Sequence, residues 1–166
     1  MLLPLGPIAS GTCRKMAGEL RGDALYELST EYWFDSAHFL TDYNGKCENL
    51  HGHQWRVTAY VRASELGASG TEKDMVVDFA TLKRIVREEC DALDHTFLVE
   101  EGSLAPATMD ALAAEGFSLT VLPFRTTSEN LARYLFERLA ARGLPVSRVD
   151  CNETPNNRAS FSPDRG

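Results

Sequence analysis

Two alternating stretches, separated by a turn-rich loop, constrain the fold of this chain more than any other sequence feature. In Tyr26–His38, large apolar residues occupy one parity, and the other parity is polar apart from Trp33. Residues 51–62 alternate in the same way, and the loop between the two stretches contains Asn44-Gly45. A period of two residues is typical of strands that bury one face. The sequence therefore predicts two neighbouring strands with a turn between them.

Two later segments have helical spacing. Asp78 is a suitable N-cap for a helix that continues to Ala92, because apolar residues recur there every three or four positions. A second helix is predicted after Thr126, which has capping-box spacing with Glu129, and Gly143 ends it. Both helices are expected to pack an apolar stripe against a sheet.

The remaining elements are short. Strands are predicted at residues 119–122 and 146–153, residues 102–116 have room for a short helix, and the end of the chain is a polar tail. The element order is strand, strand, helix, strand, helix, strand. Long strands with few helices are typical of an α+β fold in which the helices cover one face of the sheet.

Charge and composition exclude several classes of protein. The chain has 166 residues, with 17 Lys+Arg against 24 Asp+Glu and a net charge of −7. We expect neither nucleic-acid nor membrane partners, because the chain is acidic and no apolar run is long enough to span a bilayer. Residues 1–23 are expected to form a loosely held, disordered extension, and residues 24–166 a single domain.

The cysteines indicate a reducing compartment. All four are far apart in sequence, none forms a CxxC pair, and the first residues lack the positive region of a secretory signal. Reduced thiols are the default for such a chain, so we expect a cytoplasmic protein. Cys13, Cys90 and Cys151 are expected to be inert.

Three of the four histidines lie close together in sequence. His51 and His53 are two residues apart and therefore point to the same side of a strand, and His38 has the parity of the apolar face of the neighbouring strand. Three imidazoles at a sheet end leave an open fourth position, which is the pattern of a catalytic zinc site. The alternative is that each histidine is an ordinary core or surface residue.

Cys47 lies four residues before His51 in the loop. Its thiolate could act as a base or nucleophile if nearby positive charge lowers its pKa. Two alternatives remain open, namely a small buried apolar residue and a fourth zinc ligand that would close the site.

Three further ionisable residues are candidates for the site. Asp94 beside His95 could form an acid–base pair, although a histidine at a helix end is favourable for structural reasons alone. Glu153 falls on the apolar parity of the last strand, where a carboxylate needs a partner. That partner could be an arginine, or a ligand with two coplanar N–H groups such as a guanine-like or pterin edge.

Six motifs in register carry a family resemblance across residues 34–161, namely FDSAHFL, CENLHGHQWRV, MVVDFATLK, LDH, TTSENLARYL and ETPNNRASF. They resemble the 6-pyruvoyltetrahydropterin synthase superfamily. The Cys-x-x-x-His-Gly-His spacing resembles its 6-carboxytetrahydropterin synthase branch, which belongs to the queuosine pathway. Glu48 beside Cys47 keeps a folate-related branch open.

The resemblance implies a role for each candidate residue. His38, His51 and His53 would bind Zn²⁺, and Cys47 would be the catalytic base. Asp94 and His95 would complete a proton relay from a neighbouring subunit. The pterin ring would be held by Glu153, helped by Thr127 and Ser128.

The resemblance also implies a fold and an assembly. The expected architecture is the tunnelling fold (T-fold), a four-stranded antiparallel sheet with two helices on one face. Trimers would form continuous barrels and stack as a homohexamer (a dimer of trimers), with active sites at subunit interfaces. Residues 1–23 and 99–117 are the least typical parts.

The implied reaction converts 7,8-dihydroneopterin triphosphate to 6-carboxy-5,6,7,8-tetrahydropterin with release of acetaldehyde and triphosphate. Lys46, Arg125 and Arg158 are candidates for the triphosphate, and a solvated surface position is an equal alternative for each. Other outcomes within the superfamily are pyruvoyl-type phosphate elimination and folate-branch side-chain cleavage. A non-catalytic, zinc-stabilised assembly module would instead use Cys47 as a fourth ligand.

Overall fold

The two alternating stretches form the central pair of the sheet. In the computed structural model, which describes residues 25–163, strand β1 (Tyr26–His38) pairs antiparallel with strand β2 (His51–Ala63). The register runs from Tyr26 opposite Ala63 to His38 opposite His51. The two strands predicted from alternation are therefore confirmed. Their apolar parities face the same side, because side chains alternate along a strand.

Seven further elements extend this pair. In chain order they are α1 (Phe79–Asp91), β3 (Thr96–Glu100), α2 (Pro106–Ala114), β4 (Leu119–Leu122), α3 (Ser128–Ala141), β5 (Val146–Asn152) and β6 (Arg158–Phe161). The strands form one sheet in the order β4-β3-β1-β2-β5-β6. Strand β3 is parallel to both β1 and β4, and the other pairs are antiparallel. The α+β class is as expected.

The expectation of a four-stranded antiparallel sheet with two helices is wrong in detail, since residues 25–163 form six strands in a mixed sheet and three helices. Strand β3 was not predicted because its sequence does not alternate. The consecutive residues Leu98 and Val99 are both buried, so both faces of the strand are covered. Strand β6 lies in the expected polar tail. Its Phe161 packs against Phe136 of α3, with ring centroids 5.2 Å apart.

Helices α1 and α3 cover the apolar face of the central strands. The core beneath them includes Trp55, Val57 and Val61 of β2, Leu82 and Val86 of α1, and Leu131 and Leu135 of α3, all nearly inaccessible. Each large apolar side chain buried in this way contributes about 1.5–3 kcal/mol. This packing fixes the inner face of β1 and β2, from whose end the histidines project.

The helix caps are partly as predicted. Asp78 caps α1 and accepts a 2.9 Å hydrogen bond from the backbone N–H of Thr81. The cap of α3 is Thr127, which accepts from the N–H of Asn130 at 3.4 Å. The expected capping box of Thr126 with Glu129 is therefore wrong by one residue, because Thr126 is fully buried and bonds toward β1.

Two expectations concern the N-terminal segment. The disordered extension expected for residues 1–23 lies outside the described residues, and so does Cys13.

Between residues 25 and 163, no helix combines the length and the apolar character needed to cross a membrane.

Candidate metal centre

The register of β1 and β2 brings the three histidines together. His38 is the last residue of β1 and lies opposite His51, the first residue of β2, whereas His53 lies opposite Ser36. The ring centroids are 4.5 Å apart for His38 and His51, and 4.8 Å apart for His51 and His53. A one-residue shift in pairing would send the rings to opposite faces, so the register is what builds the cluster.

A carboxylate completes a group of four possible metal ligands. One ligand atom from each of His38, His51, His53 and Glu153 lies within 4.8 Å of the other three. The Nε2 atoms of the three histidines are buried without a hydrogen-bond partner. Unpartnered buried nitrogens are costly, and a cation at their centre would satisfy all of them.

Backbone carbonyls orient two of the rings. The Nδ1 atom of His38 donates to the oxygen of Thr126 at 2.9 Å, and that of His51 donates to the oxygen of Asn49 at 2.7 Å. A carbonyl oxygen only accepts, so each neutral ring carries its proton on Nδ1 and directs the Nε2 lone pair into the cluster. This is the orientation that metal-binding histidines require.

Burial disfavours the charged form of two of the rings, His38 and His53. It lowers the pKa of His38 to about 4, against a smaller rise caused by the bond to Thr126. Burial also lowers the pKa of His53, although the nearby Glu153 carboxylate works in the opposite direction. Neutral imidazole is the form that coordinates metal ions. The donor set therefore fits a divalent metal ion.

An apolar floor lies under the cluster. Trp55 is fully buried, with its ring centroid 5.0 Å from that of His38 and 5.4 Å from that of His53. It is stacked in turn on Phe34. This floor holds the rings in place and excludes water from the inner side of the cluster.

Glu153 stands between the cluster and a cavity. Its Oε1 atom is 3.5 Å from the Nε2 atoms of both His38 and His53. It also lines a cavity of about 340 Å³ together with Thr127 and Ser128. The structure thus brings together the three residues expected to hold the pterin ring. Thr127 is the N-cap of α3 and Ser128 is its first residue.

Cys47 is near the cluster in sequence but is not one of its four ligands. It lies in the short turn Lys46–Glu48 between β1 and β2 and is partly exposed. Its backbone oxygen accepts a 2.8 Å hydrogen bond from the N–H of Leu40, which pins the turn to the end of β1. A closed site with Cys47 as the fourth ligand is not what the described residues form.

Asp94 and His95 form the expected pair after α1. One oxygen of Asp94 accepts from the backbone N–H of Asp35 at 2.7 Å, and the other accepts from Nδ1 of His95 at 2.8 Å. The hydrogen bond from Asp35 lowers the pKa of Asp94, and the hydrogen bond to Asp94 raises the pKa of His95. His95 has a positive φ of 53°, and its side chain is 79% exposed. The His95 ring is therefore open to solvent.

The three candidate cations have different surroundings. Lys46 is exposed in the turn beside Cys47. Arg125 donates to the backbone oxygen of Thr41 and lies over the ring of Tyr43. Arg158 lines the cavity of Glu153.

Sequence reasoning missed the groups that orient the histidine rings. They are the backbone oxygens of Asn49 and Thr126, and a backbone carbonyl leaves no trace in residue identity. The hydrogen bond from the Thr126 hydroxyl to the oxygen of Phe39 could have been anticipated only weakly. A threonine that is fully buried needs a hydrogen-bond partner, but its sequence position does not say which one.

Three imidazoles and a carboxylate beside a cavity form a group that could hold a metal ion, as metal-dependent enzymes do. The chain belongs to the 6-pyruvoyl tetrahydropterin synthase family, whose sequence profile matches residues 27–164. A 6-carboxy-5,6,7,8-tetrahydropterin synthase from Haemophilus influenzae is 37% identical over 140 residues, covering 82% of this chain and 99% of the relative. One from Synechocystis is 34% identical over 139 residues, covering 80% and 91%. The expected family and enzyme class are confirmed.

Solved structures agree on the fold. An uncharacterised protein from Wolinella succinogenes superposes with a TM-score of 0.71 at 26% identity, covering 85% of this chain and 99% of that chain. The 6-pyruvoyl tetrahydropterin synthase of Plasmodium vivax superposes with a TM-score of 0.62 at 22% identity, covering 86% and 99%.

Proposed function

We propose that this protein converts 7,8-dihydroneopterin triphosphate and water to 6-carboxy-5,6,7,8-tetrahydropterin, acetaldehyde and triphosphate in queuosine biosynthesis. The observation that carries the proposal is the cluster of three histidines beside the Glu153 cavity, whose Nε2 atoms are all buried without a hydrogen-bond partner. Relatives that bear the name of this synthase support the choice of reaction.

Zinc is the metal we propose. His38, His51 and His53 would hold it, because three imidazole nitrogens with an exchangeable fourth position are typical of catalytic zinc. When bound, the ion would polarise the side-chain hydroxyls of the substrate and lower their pKa. The Trp55 floor keeps water away from one side of the centre, which strengthens such electrostatic effects.

Cys47 is proposed as the base that moves protons at the side-chain carbons of the substrate. Its free thiol is partly exposed and sits in the turn that leads into His51, outside the metal ligand set. A thiolate there can take a proton without closing the metal site. Proton movement would isomerise the substrate side chain and eliminate triphosphate. Water would then add to the carbonyl carbon attached to ring position 6, and a retro-aldol type cleavage of the adjoining carbon–carbon bond would release acetaldehyde and leave the carboxyl group.

Asp94 and His95 are proposed to return the protons, acting on the site of a neighbouring subunit. The support is that the His95 ring is 79% exposed and that Asp94 fixes its orientation. The raised pKa of His95 means that the ring holds a proton closer to neutral pH than an isolated histidine would. A donor of this kind suits general acid catalysis.

Glu153 is proposed to anchor the pterin ring, with Thr127 and Ser128. A carboxylate can accept both N–H bonds of the aminopyrimidine edge, and hydroxyl groups at the start of α3 can complete the polar contacts. The triphosphate then needs cations at the mouth of the site, and Arg158 lines the same cavity. Lys46 and Arg125 remain further candidates.

The proposed assembly is a homohexamer made of two trimers of T-fold subunits. The support is a free strand edge, since β3 pairs with β1 only at Ser36 and Ala37. Within the described part of the chain no other strand covers that edge of β1, so the edge can accept a strand of another subunit. A cytoplasmic location is proposed because Cys47, Cys90 and Cys151 are all free thiols.

Two other reactions in the family would use the same centre. Pyruvoyl-type elimination would release triphosphate without breaking the side chain, and a folate-type cleavage would use an acidic residue where this chain has Cys47. Glu48 is next to Cys47, but it lines a separate apolar cavity with Leu50 and Phe97. The placement of Glu48 therefore favours the cysteine-dependent reaction.

Product analysis tests the proposal. The purified, zinc-loaded protein is incubated with 7,8-dihydroneopterin triphosphate, and acetaldehyde and the pterin product are measured. The proposed reaction gives equal amounts of acetaldehyde and 6-carboxytetrahydropterin. If the product is a pyruvoyl pterin and no acetaldehyde forms, the protein has the pyruvoyl synthase activity instead. If the substrate is unchanged, the remaining explanation is a non-catalytic, zinc-stabilised assembly module.

A further inference from the structure

We infer that Glu153 is a fourth ligand of the metal ion when the substrate is absent, and that a pterin ring takes this carboxylate away when it binds. The inference rests on the proposed function, because it concerns the same centre. It assigns Glu153 a second role beside that of ring anchor. Glu153 would then occupy the fourth coordination position of the metal ion until a bound pterin ring draws the carboxylate away and leaves that position vacant.

The distances favour coordination over hydrogen bonding. Oε1 of Glu153 is 3.5 Å from Nε2 of His38 and 3.5 Å from Nε2 of His53. N–H···O hydrogen bonds are about 2.7–3.2 Å long. Ligand atoms that surround a zinc-type ion at about 2.0–2.2 Å in a tetrahedron are about 3.3–3.6 Å apart. These two separations match the second arrangement, in a group whose four ligand atoms all lie within 4.8 Å of one another.

The lone pairs also require a cation between these atoms. The proton of His38 is on Nδ1, where it bonds to the oxygen of Thr126, so Nε2 presents a lone pair to the Glu153 oxygen. Two facing acceptors repel each other unless a positive charge lies between them. His38 and Glu153 would both coordinate a metal ion placed there.

The cation that lines the Glu153 cavity among the described residues is already paired. Arg158 shares the cavity, but its guanidinium lies 3.5 Å from the buried carboxylate of Asp150. The Glu153 carboxylate is only 24% exposed, and the Nε2 atoms that it faces in His38 and His53 have no hydrogen-bond partner.

The position of Glu153 on the chain lets it serve both sides. It follows directly after β5, and its backbone N–H donates to the oxygen of Asn157 at 3.1 Å, which fixes the main chain at the rim of the cavity. The side chain can then turn toward the histidines or toward Thr127 and Ser128. One carboxylate cannot do both at once, so pterin binding and coordination by Glu153 must compete.

Cobalt binding in the absence of substrate tests this competition. Metal-free protein is titrated with Co²⁺ against a chelator, and the visible absorption of bound Co²⁺ reports its coordination. We expect Glu153→Gln to weaken Co²⁺ binding at least about ten-fold and to alter the spectrum. The matched control is Glu129→Gln, which removes another carboxylate of the same cavity but lies outside the ligand group, and its Co²⁺ affinity should equal that of the wild type.

A second measurement uses only the wild-type protein, so it does not depend on the folding of a variant. Unsubstituted pterin, which has the ring edge but no side chain to bind metal, is added at saturation. We expect it to weaken Co²⁺ binding and to move the spectrum toward that of Glu153→Gln. Equal Co²⁺ affinities for wild type and Glu153→Gln, or no effect of pterin on Co²⁺ affinity, would overturn the inference alone. If the wild type binds no stoichiometric Co²⁺, the proposed zinc enzyme fails as well.

Discussion

The Nδ1 atom of His38 donates a 2.9 Å hydrogen bond to the backbone oxygen of Thr126, 88 residues further along the chain. The Thr126 hydroxyl lies 3.3 Å from the same nitrogen and donates to the oxygen of Phe39 at 3.2 Å. The segment before α3 is thereby tied to the end of β1. The pterin cavity and the metal cluster share this tie, because Thr127 and Ser128 follow immediately.

The first prediction follows from this tie. Thr126→Val keeps the shape of the side chain but leaves the partly buried Phe39 oxygen without its donor, which should cost about 1 kcal/mol of unfolding free energy. The looser His38 should also weaken metal affinity about ten-fold. Chelator competition and urea unfolding measure the two effects. Thr126→Ser retains the hydroxyl and should behave like the wild type, and equal behaviour of Val and Ser would rule out this role.

The second prediction separates the base from the ligands. Cys47→Ala should retain stoichiometric zinc and lose at least about 10²-fold in kcat, because Cys47 lies outside the ligand group. His51→Ala should lose both zinc and turnover, since it removes one of three nitrogens. Metal content of the purified variants, beside an acetaldehyde assay, gives the comparison. Loss of zinc from Cys47→Ala would show that the thiol is a ligand and not a base.

The third prediction concerns the protonation of His95. Asp94 raises the pKa of this ring through their 2.8 Å hydrogen bond, so its titration midpoint should lie above the usual value of about 6.5. Asp94→Asn should lower the midpoint of the His95 titration. It should also shift the alkaline limb of the pH–rate profile, where the general acid loses its proton, to lower pH. NMR titration of the imidazole protons provides the measurement. A midpoint that does not change in Asp94→Asn would remove Asp94 from the proton relay.

The fourth prediction is a pH dependence of the metal-free protein. Burial lowers the folded-state pKa of His38 to about 4, whereas the unfolded chain has an ordinary value of about 6.5. The unfolded state therefore binds more protons between these values, and stability is fully present above about pH 6.5 and falls as the pH drops toward 4. The shift corresponds to roughly 3–4 kcal/mol as an upper bound.

Urea unfolding of chelator-treated protein at pH 7 and pH 5 measures this loss. His38→Asn, which does not titrate in this range, should show a smaller difference between the two pH values. His95→Asn is the comparison variant: the pKa of His95 is raised, so removing this ring should leave the loss between pH 7 and pH 5 at least as large as in the wild type. If all three proteins lose the same stability, titration of His38 is not the cause.

Much of this fold and site could be predicted because the relevant patterns are local. Alternation in β1 and β2 fixes which face each side chain occupies, so it also places His38, His51 and His53 on one side. The structure gathers those three rings as the spacing predicted. The N-cap at Asp78 is likewise a local signal, and it is confirmed by the bond to Thr81.

What could not be predicted depends on tertiary contacts. Strand β3 is buried on both faces and so shows no period, and β6 depends on pairing with β5 and on the contact of Phe161 with α3. The N-cap of α3 is Thr127 and not the predicted Thr126. Thr126 is buried beside His38, and this tertiary contact overrides the capping-box spacing in the sequence. Glu153 was expected to face a ligand, but its closeness to the histidine nitrogens depends on the pairing of β5 with β2.

The last prediction concerns the ion pairs that join α1 to α3. Glu89 is only 4% exposed and accepts from Nε of Arg138 at 2.8 Å and from Nη1 of Arg142 at 2.7 Å. Glu89→Gln keeps the size of the side chain but removes the charge that both arginines need. A broken buried pair costs about 3–5 kcal/mol, and the partial exposure of these arginines reduces the expected loss of unfolding free energy to about 2 kcal/mol.

The control for Glu89→Gln is Glu137→Gln, which removes an exposed carboxylate that pairs with Arg133 at 2.8 Å within α3. Such a surface pair contributes under about 0.5 kcal/mol, so this variant should unfold at nearly the wild-type urea concentration. Equal unfolding free energies of the two variants would show that the Glu89 ion pairs do not stabilise the contact between α1 and α3. Because α1 and α3 cover the face from which the histidines project, loosening the clamp in Glu89→Gln should also weaken metal binding, whereas Glu137→Gln should leave it unchanged.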